Sequence, residues 1–360
     1  MTFGKIGAAL ALSAGALLCG MQAGAQTEEP YFEGKTVTLL VGFSPGGGTD
    51  LFGRAFADHL GRHLPGNPTV IVQNMPGAGG IIASNYFGDQ AAKDGTYIMV
   101  GTGQLLMRLL LGLDGSTTEI AQLEPIVAGP MGRVTYASNE FDLSDTNAII
   151  STGELVVGVP EVISTIDAVL GLEVLGADFR AIVGYEGKSD TRLALERGEI
   201  NVDEQTTPLF VTSVVPLIEE GKAAPLFAQG FLSGEDLVRD PAAPDVPTIG
   251  EVYEQIHGKP PEGPAWEAYK ASIRAIGNGG KILMVHSDLP DEVKADILGA
   301  IEALKSDEEF LKSADQLLEG YDLNTGEELS QSIAAIAATD PATLDWLKTY
   351  LAENYDMTFN

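Results

Sequence analysis

Two glycine-rich loops constrain this chain more than any other feature of its sequence. The first is Ser44–Asp50 and the second is Asn74–Gly80, and each follows an apolar, strand-like run and precedes a helical pattern. In a parallel α/β sheet, loops in these positions open at the carboxyl ends of adjacent strands and face the same way. Each loop would direct free backbone N–H groups, and the positive end of a helix, at one shared point. The pattern predicts an anion-binding site made without any cationic side chain.

The alternation of strand and helix patterns predicts two α/β units. Strands of the first unit are expected at 36–43, 69–73 and 96–101, with helices starting at 49, 81 and 104. Thr49 is expected to cap the first of these helices, with Asp50 as an acid in its first turn. A crossover near 125–131 leads to a second unit, with strands expected at 133–137, 155–159 and 179–183 and helices at 163–170, 191–197 and 209–220. The run 224–229 is expected to return to the first lobe as a strand, and helices fill most of the remaining chain.

These units predict two doubly wound α/β domains that are joined by a two-crossing hinge and separated by a cleft. The first lobe is expected to comprise residues 31–128 and 228–360, and the second lobe residues 129–227. Three glycine-bearing turns of the first lobe would line the cleft: 46–49, 77–80 and 101–103.

The first 25 residues have the composition of a secretory signal peptide. Lys5 is the early positive charge, residues 6–18 form a short apolar run, and Ala23–Ala25 is a small-residue cleavage site before Gln26. A membrane anchor is disfavoured because it needs roughly 20 apolar residues. A lipid anchor on Cys19 is the other alternative, but Leu18 stands where a small residue is expected. The sequence therefore predicts export to the periplasm.

Composition excludes several functional classes. The chain has 51 acidic and 21 basic residues, a formal net charge of −30, whereas nucleic acids and anionic membranes favour basic surfaces. Cys19 is the only cysteine, so the mature chain would have no thiolate chemistry. The acidity does not argue against an anion site, because physiological salt screens surface charge beyond about 8 Å.

Two other interpretations of the first loop are weaker. The run Gly42–Gly46 matches the G-x-S-x-G nucleophile elbow, with Ser44 as the nucleophile of a secreted serine hydrolase. The residue after that serine must supply an oxyanion-hole N–H, and here it is Pro45, which has none. A nucleotide phosphate loop would require a lysine that is missing after the glycine triplet.

His59 and His63 are four residues apart on one predicted helix, a spacing that can bind zinc. The sequence between them lacks the glutamate of a zinc protease, and no third ligand is suggested nearby. We therefore predict surface histidines, no metal site and no cofactor.

The motifs resemble those of the tripartite tricarboxylate transporter receptors, also called the Bug family. The resemblance covers roughly residues 35–320, and the paired glycine loops are its most specific part. Second-lobe matches are Val183–Gly187 and Leu193–Glu199, and Asp245–Thr248 also fits. The resemblance implies a two-lobed periplasmic-binding-protein fold of type II, which closes on its ligand like a flytrap. It also implies a binding protein rather than an enzyme, which hands a small carboxylate to a membrane permease.

In this family, main-chain groups of the two first-lobe loops hold a ligand carboxylate. Carried over to this chain, the implied ligand-binding residues are Ser44, Gly47, Thr49, Asp50, Pro76, Gly77, Ala78, Gly79 and Thr102. The second lobe departs from the family pattern at 160–165 and 198–203, and Glu161 would be unwelcome beside a second carboxylate. Candidates for contacts there are Ser164, Thr165, Tyr185 and Asp203.

The sequence thus predicts a monomeric extracytoplasmic receptor that captures a carboxylate and closes around it. The alternatives are the Ser44 hydrolase and a sensory receptor that uses the same cleft. The ligand is left open among dicarboxylates, tricarboxylates, aromatic acids and neutral amides.

Overall fold

A computed structural model describes residues 29–139, 147–151, 153–318 and 320–360. The predicted signal peptide, with Cys19, lies outside the described residues. Within them, no helix combines the length and the apolar character that crossing a bilayer requires.

The strands alternate with helices along most of the chain. Strands are β1 Thr36–Val41, β2 Thr69–Asn74, β3 Tyr97–Thr102, β4 Leu123–Gly129, β5 Arg133–Ser138, β6 Leu155–Val159, β7 Phe179–Val183, β8 Val202–Thr206, β9 Ala223–Ala228, β10 Phe231–Ser233, β11 Asp236–Val238, β12 Lys281–His286 and β13 Asn324–Thr325. Helices are α1 Gly48–Leu60, α2 Ile81–Asp89, α3 Gly103–Leu111, α4 Ala148–Ser151, α5 Ile166–Leu175, α6 Lys188–Glu196, α7 Thr207–Leu209, α8 Val215–Glu219, α9 Ile249–His257, α10 Pro264–Ser272, α11 Asp291–Leu304, α12 Glu308–Leu318, α13 Gly326–Ala337 and α14 Pro341–Tyr355. Short 3₁₀ turns are Ala78–Gly80, Ile120–Gln122 and Ile163–Thr165, and π-helical turns are Phe210–Val214 and Ile273–Gly277.

The first lobe is built on a six-stranded mixed sheet with the order β13-β4-β12-β3-β1-β2. Strand β1 lies between β2 and β3 and is parallel to both. Its residues Leu39, Leu40 and Val41 are fully buried, as expected for a strand that is covered on both faces. The parallel arrangement brings the turns after β1, β2 and β3 to one edge of the sheet.

The second lobe is built on a five-stranded mixed sheet with the order β7-β6-β8-β5-β9. Strand β6 is parallel to β7 and β8, whereas β5 is antiparallel to β8 and β9. The prediction that 224–229 returns to the first lobe is wrong, because β9 pairs with β5 as an edge strand of this second sheet. The next strand that pairs in the first sheet is β12.

The chain passes from the first sheet to the second through residues 130–132. The amide of Gly132 donates a hydrogen bond to the Tyr321 hydroxyl at 3.2 Å, and that hydroxyl bonds the buried carboxylate of Asp240 at 2.9 Å. A β-carbon on Gly132 would lie 1.8 Å from Asp240 Oδ2, so the crossing has no room for a side chain. This crossing is therefore tightly fixed to the first-lobe segments that surround it.

The two lobes pack against each other across the cleft. Helix α3 of the first lobe contacts the 3₁₀ turn Ile163–Thr165, and α10 packs on α5 of the second lobe. One apolar cluster includes residues from both sheets, such as Leu40 and Val157. The carboxyl ends of the parallel strands of both lobes thus lie near the interface.

Candidate functional site

The first glycine loop presents unpaired backbone amides at the start of α1. Gly47 caps this helix with an extended backbone and no side-chain hydrogen bond, so the prediction that Thr49 is the cap is wrong. Within the described residues, the amides of Gly48, Thr49 and Asp50 have no protein acceptor, as is usual in the first turn of a helix. Ser44, Gly47 and Gly48 are exposed, Thr49 is half-buried and Asp50 is buried, so a ligand could reach the amides of Gly48 and Thr49.

Asp50 holds the loop together through its side chain, which is only 1% exposed. Its carboxylate accepts hydrogen bonds from the Gly46 amide and from Arg54 Nε, both at 2.8 Å. It also accepts a bond from Asn74 Nδ2 at 2.8 Å, and the same amide group donates to the Phe43 carbonyl at 2.9 Å. The hydrogen bond from Arg54 lowers the pKa of Asp50 to about 2, although burial opposes the shift. The carboxylate is therefore occupied inside the loops, whereas the Asp50 amide has no acceptor among the described residues.

The second loop is a tight turn with positive φ angles at four consecutive residues. The φ values are +140° at Gly77, +47° at Ala78, +61° at Gly79 and +98° at Gly80. The Gly80 amide bonds the Gly77 carbonyl at 3.0 Å, whereas the amides of Gly77, Ala78 and Gly79 have no acceptor among the described residues. Pro76 and Ala78 are exposed, and Gly77 and Gly79 are half-buried. Successive amides in such a turn form a concave anion-binding surface.

The two loops lie side by side. They follow neighbouring parallel strands, and Asn74 of the second loop bonds both Asp50 and the Phe43 carbonyl of the first segment. A β-carbon on Gly42 would lie only 3.1 Å from the Gly80 Cα atom. The free amides of both loops therefore belong to one continuous surface at the sheet edge.

Two cationic side chains flank this surface, which corrects the prediction of a site without cations. A β-carbon on Gly48 would lie 3.8 Å from Lys281 Nζ, and a β-carbon on Gly79 would lie 2.5 Å from Arg108 Cζ. Lys281 begins β12 and Arg108 lies on α3. No local sequence pattern predicts that either residue lies near a glycine loop. The tertiary arrangement of β12 and α3 places them beside the loops.

Thr102 lies at the third turn, where its hydroxyl oxygen caps α3. It accepts a hydrogen bond from the Leu105 amide at 3.3 Å, and the residue is 8% exposed. The next amide, that of Gly103, donates to the Gly280 carbonyl at 2.9 Å. This turn therefore offers fewer free groups than the first two, and a ligand contact by Thr102 stays a prediction.

On the second lobe, Glu161 and Ser164 lie at the interface with the first lobe. The Glu161 carboxylate accepts the amides of Ile163 at 3.2 Å and Ser164 at 2.9 Å, and it also accepts Arg108 Nη2 at 2.6 Å. The Ser164 hydroxyl donates to the Glu161 carbonyl at 2.7 Å. The Arg108–Glu161 ion pair thus joins the two lobes next to the second glycine loop.

The other second-lobe candidates lie deeper. Thr165 is fully buried and its hydroxyl accepts Lys188 Nζ at 3.3 Å. Asp203 is also fully buried, and it accepts the Tyr136 hydroxyl at 2.6 Å and Gln205 Nε2 at 2.8 Å. Tyr185 is half-buried against the second-lobe core. Among the described residues, no hydrogen bond joins any of these three to the glycine loops.

A buried group of charged residues at the carboxyl end of the second sheet was missed in the sequence. Arg133 Nη1 bonds Asp167 Oδ1 at 2.9 Å, and Lys188 Nζ bonds Glu204 Oε1 at 2.7 Å. Burial raises the pKa of Glu204 to about 7, and the nearby Asp167 charge adds to this shift. The available signal was weak: Arg133 begins a predicted strand, whereas Glu204 lies in the middle of the polar run 202–206, where no strand was predicted.

Two rival sites involve Ser44 and the histidine pair His59 and His63. All four histidines are described, and none is hydrogen-bonded to Ser44. The nitrogen and oxygen atoms of His59, Asp307 and Glu309 lie within 4.8 Å of one another. The Arg62 guanidinium, however, bonds His59 and Glu309, both at 2.8 Å, and also pairs with Asp307. That cluster is therefore an ion-pair network centred on an arginine.

Comparison with solved structures identifies the fold as that of the periplasmic solute-binding proteins. A TctC solute-binding protein from Polaromonas is similar with a TM-score of 0.64 and 20% identity, over 87% of this chain and 98% of that one. MatC from Rhodopseudomonas palustris, solved with bound malate, gives a TM-score of 0.55 and 19% identity over 87% and 98%. The periplasmic binding protein BugD gives 0.56 and 19% over 87% and 97%.

Sequence relatives identify the family, although no protein-family profile matches the chain. A UPF0065 protein of Cupriavidus necator is 30% identical over 238 residues, which is 63% of this chain and 67% of that protein. Protein BugT of Bordetella pertussis is 25% identical over 61% of this chain and 67% of its own length. The chain belongs to the UPF0065 family of Bug proteins, and the resemblance stated from its motifs is confirmed.

Proposed function

We propose that the protein is a periplasmic receptor that captures a small carboxylate between its lobes and delivers it to a tripartite tricarboxylate transporter permease. One observation carries the proposal: two adjoining glycine loops present free main-chain amides at one edge of the first sheet, beside Lys281 and Arg108. Two solved proteins of this fold, both from Rhodopseudomonas palustris, contain carboxylates, namely malate in MatC and adipate in another. Both ligands belong to the class of anion that such a surface would bind.

The amide donors are sufficient for a useful affinity. A carboxylate that accepts about four hydrogen bonds gains about 6–12 kcal/mol before costs, at roughly 1.5–3 kcal/mol each. Ordering and desolvation consume much of this gain. The remainder is consistent with a micromolar dissociation constant, about −8 kcal/mol. Lys281 would add to the attraction for an anion, whereas the ion pair with Glu161 offsets the charge of Arg108.

The test replaces Gly47 by valine. Gly47 has a φ of −78°, and a β-carbon there would meet nothing closer than the Ser44 carbonyl at 3.5 Å. The fold therefore tolerates Gly47→Val, while the branched side chain covers the amides at the start of α1. For each of butyrate, succinate and adipate that the unmodified protein binds, we expect at least a tenfold loss of affinity in calorimetry, about 1.4 kcal/mol or more.

Gly299→Val is the matched control, because Gly299 is exposed on α11 and has open space around its Cα. This variant should bind as the unmodified protein does. Equal affinity of Gly47→Val and Gly299→Val for all three acids would refute the proposed site.

The signal peptide, the periplasmic location, the monomeric state and the lobe limits of 31–128 with 228–360 and 129–227 belong to the same proposal.

Delivery to a permease separates a transport receptor from a sensor. Photo-crosslinking from the cleft rim should capture a multi-spanning permease in native membranes only when the carboxylate is present. Capture of a single-span signalling protein instead would favour the sensory role.

A further inference from the structure

The interface between the lobes carries a carboxylate of the protein itself. Glu161 sits on the second lobe, yet its Oε2 atom lies 2.6 Å from Nη2 of Arg108 on the first lobe. The same carboxylate accepts the amides of Ile163 and Ser164 at the turn that precedes α5. Two main-chain amides and a guanidinium are the donors that a bound carboxylate would use. In this chain Glu161 already occupies all three.

Arg108 connects this arrangement to the second glycine loop. Its side chain is 10% exposed, and its guanidinium lies against Gly79, where a β-carbon would approach Cζ to 2.5 Å. Glu161, which is 46% exposed, therefore stands one side chain away from the free amides of Gly77–Gly79. A ligand whose first carboxylate is held by the loops would extend its other end towards Glu161.

The cavity beside the second loop has an acidic lining. It has a volume of about 410 Å³, enough for a small organic acid, and Ala78, Gly79, Arg108 and Glu161 contribute to its wall. Asp114 and Asp356 line it as well, so the described lining contains three acidic residues and one arginine. A second negative charge on the ligand would meet like charges there, because Arg108, the one cation in the described lining, is already paired with Glu161.

We infer that Glu161 is a specificity-determining residue, which restricts the receptor to monocarboxylates with an uncharged distal end by filling the position of a second carboxylate. This inference rests on the proposed function and names its substrate class. Like charges in contact across a partly exposed surface disfavour binding by about tenfold or more. Neutralising Glu161 should free Arg108 and both amides for the distal carboxylate of a ligand.

The experiment uses acid pairs that differ only by exchange of a methyl group for a carboxylate: butyrate with succinate, and hexanoate with adipate. Calorimetry on the unmodified protein should show the monocarboxylate of at least one pair bound about tenfold more tightly than its partner. Glu161→Gln and Glu161→Ala should raise the dicarboxylate affinity by about tenfold and change the monocarboxylate affinity by less than about twofold.

Glu154→Gln is the matched control. Glu154 lies on the same lobe, is 51% exposed and pairs with Arg180 at 3.3 Å, so this variant makes the same charge change away from the cleft. It should leave the ratio of the two affinities unchanged. A structural defect caused by substitution of Glu161 would lower the affinity for both acids of a pair together and would not alter the ratio of the two affinities.

Two results overturn the inference in distinguishable ways. Tighter binding of the dicarboxylates by the unmodified protein, or an unchanged ratio in both Glu161 variants, removes the role of Glu161 and leaves the carboxylate receptor intact. Failure of the unmodified protein to bind any of the four acids overturns both this inference and the proposed function.

Discussion

At the scale of single residues, Asp50 shows how one side chain organises a site that it does not directly line. Its carboxylate collects donors from the Gly46 amide, Arg54 and Asn74, which fixes the first loop to the second. Because these bonds consume the carboxylate, the helix start keeps its other amides free for an anion. The sequence singled out Asp50 as a first-turn acid, but only the packed structure assigns its acceptors to partners within the loops.

Asp50→Asn should destabilise the protein by about 1–2 kcal/mol at pH 7, less than the full pKa shift implies because Arg54 is half exposed. Since the folded pKa is lowered from 3.8 to about 2, the stabilisation is complete above pH 4 and is lost as pH falls towards 2. Urea unfolding at pH 7, 4 and 3 measures this difference. Asp58→Asn, an exposed change on the same helix, is the control, and equal stabilities of the two variants at pH 7 would contradict the assignment.

At the scale of elements, the two loops impose different demands on their glycines. Gly47 has an ordinary extended backbone and needs glycine only to keep the helix amides uncovered. Gly79 has a φ of +61° and no room beside Arg108, so its conformation and its packing both exclude a side chain. The sequence pattern alone makes these two positions look equivalent.

Gly79→Ala should therefore cost more stability than Gly47→Ala. A left-handed conformation costs an ordinary residue about 1–2 kcal/mol, and displacement of Arg108 adds to this, whereas Gly47→Ala should change stability by less than about 0.5 kcal/mol. Thermal and urea unfolding provide the measurement. Gly34→Ala separates the two causes, because Gly34 has a φ of +71° with no atom near its Cα substituent position. If Gly79→Ala destabilises the protein no more than Gly34→Ala does, the Arg108 side chain moves aside without a measurable cost in stability.

The sequence predicted strands correctly where their local pattern was complete. It failed where pairing with a distant strand determined the place of a segment in a sheet. Strands β5, β6 and β7 lie where the sequence placed them, because each is an apolar run bounded by turn residues. Strand β12, in the middle of the first sheet, was missed, since its six residues follow two helices and resemble a short helical segment. Strand β9 was found but assigned to the wrong lobe, because no local signal encodes its partner.

At the scale of the whole molecule, buried charged groups join the elements of the second lobe at the cleft edge of its sheet. Arg133 from the first strand after the crossing pairs with Asp167 on α5, while Lys188 on α6 pairs with Glu204 on β8. All four lie on different elements, so the network ties the second lobe together next to the hinge. Glu204 is buried and its pKa is raised to about 7. Its ionisation therefore opposes folding.

The stability of the protein should accordingly fall as pH rises from 4.5 to 7, because the unfolded chain releases the Glu204 proton first. The contribution of this group amounts to about 1–3 kcal/mol at pH 7. In Glu204→Gln the unfolding free energy should decrease less between pH 5 and pH 7, whatever the absolute stability of the variant. Unfolding free energies at pH 5, 6 and 7 are the measurement, with exposed Glu199→Gln as control. Parallel pH profiles for Glu204→Gln and the unmodified protein would contradict the shifted pKa.

The sequence by itself determined the strand–loop–helix units of the first lobe, the position of both glycine loops and the family. These features depend on the order of residues along a short segment, where apolar runs, glycines and helix starts carry their own signal. Only the tertiary structure decided which cations flank the loops, which carboxylate faces Arg108 and which sheet receives β9. Those relations join residues that are tens to hundreds of positions apart. Packing of one element on another creates them, and no local pattern contains that information.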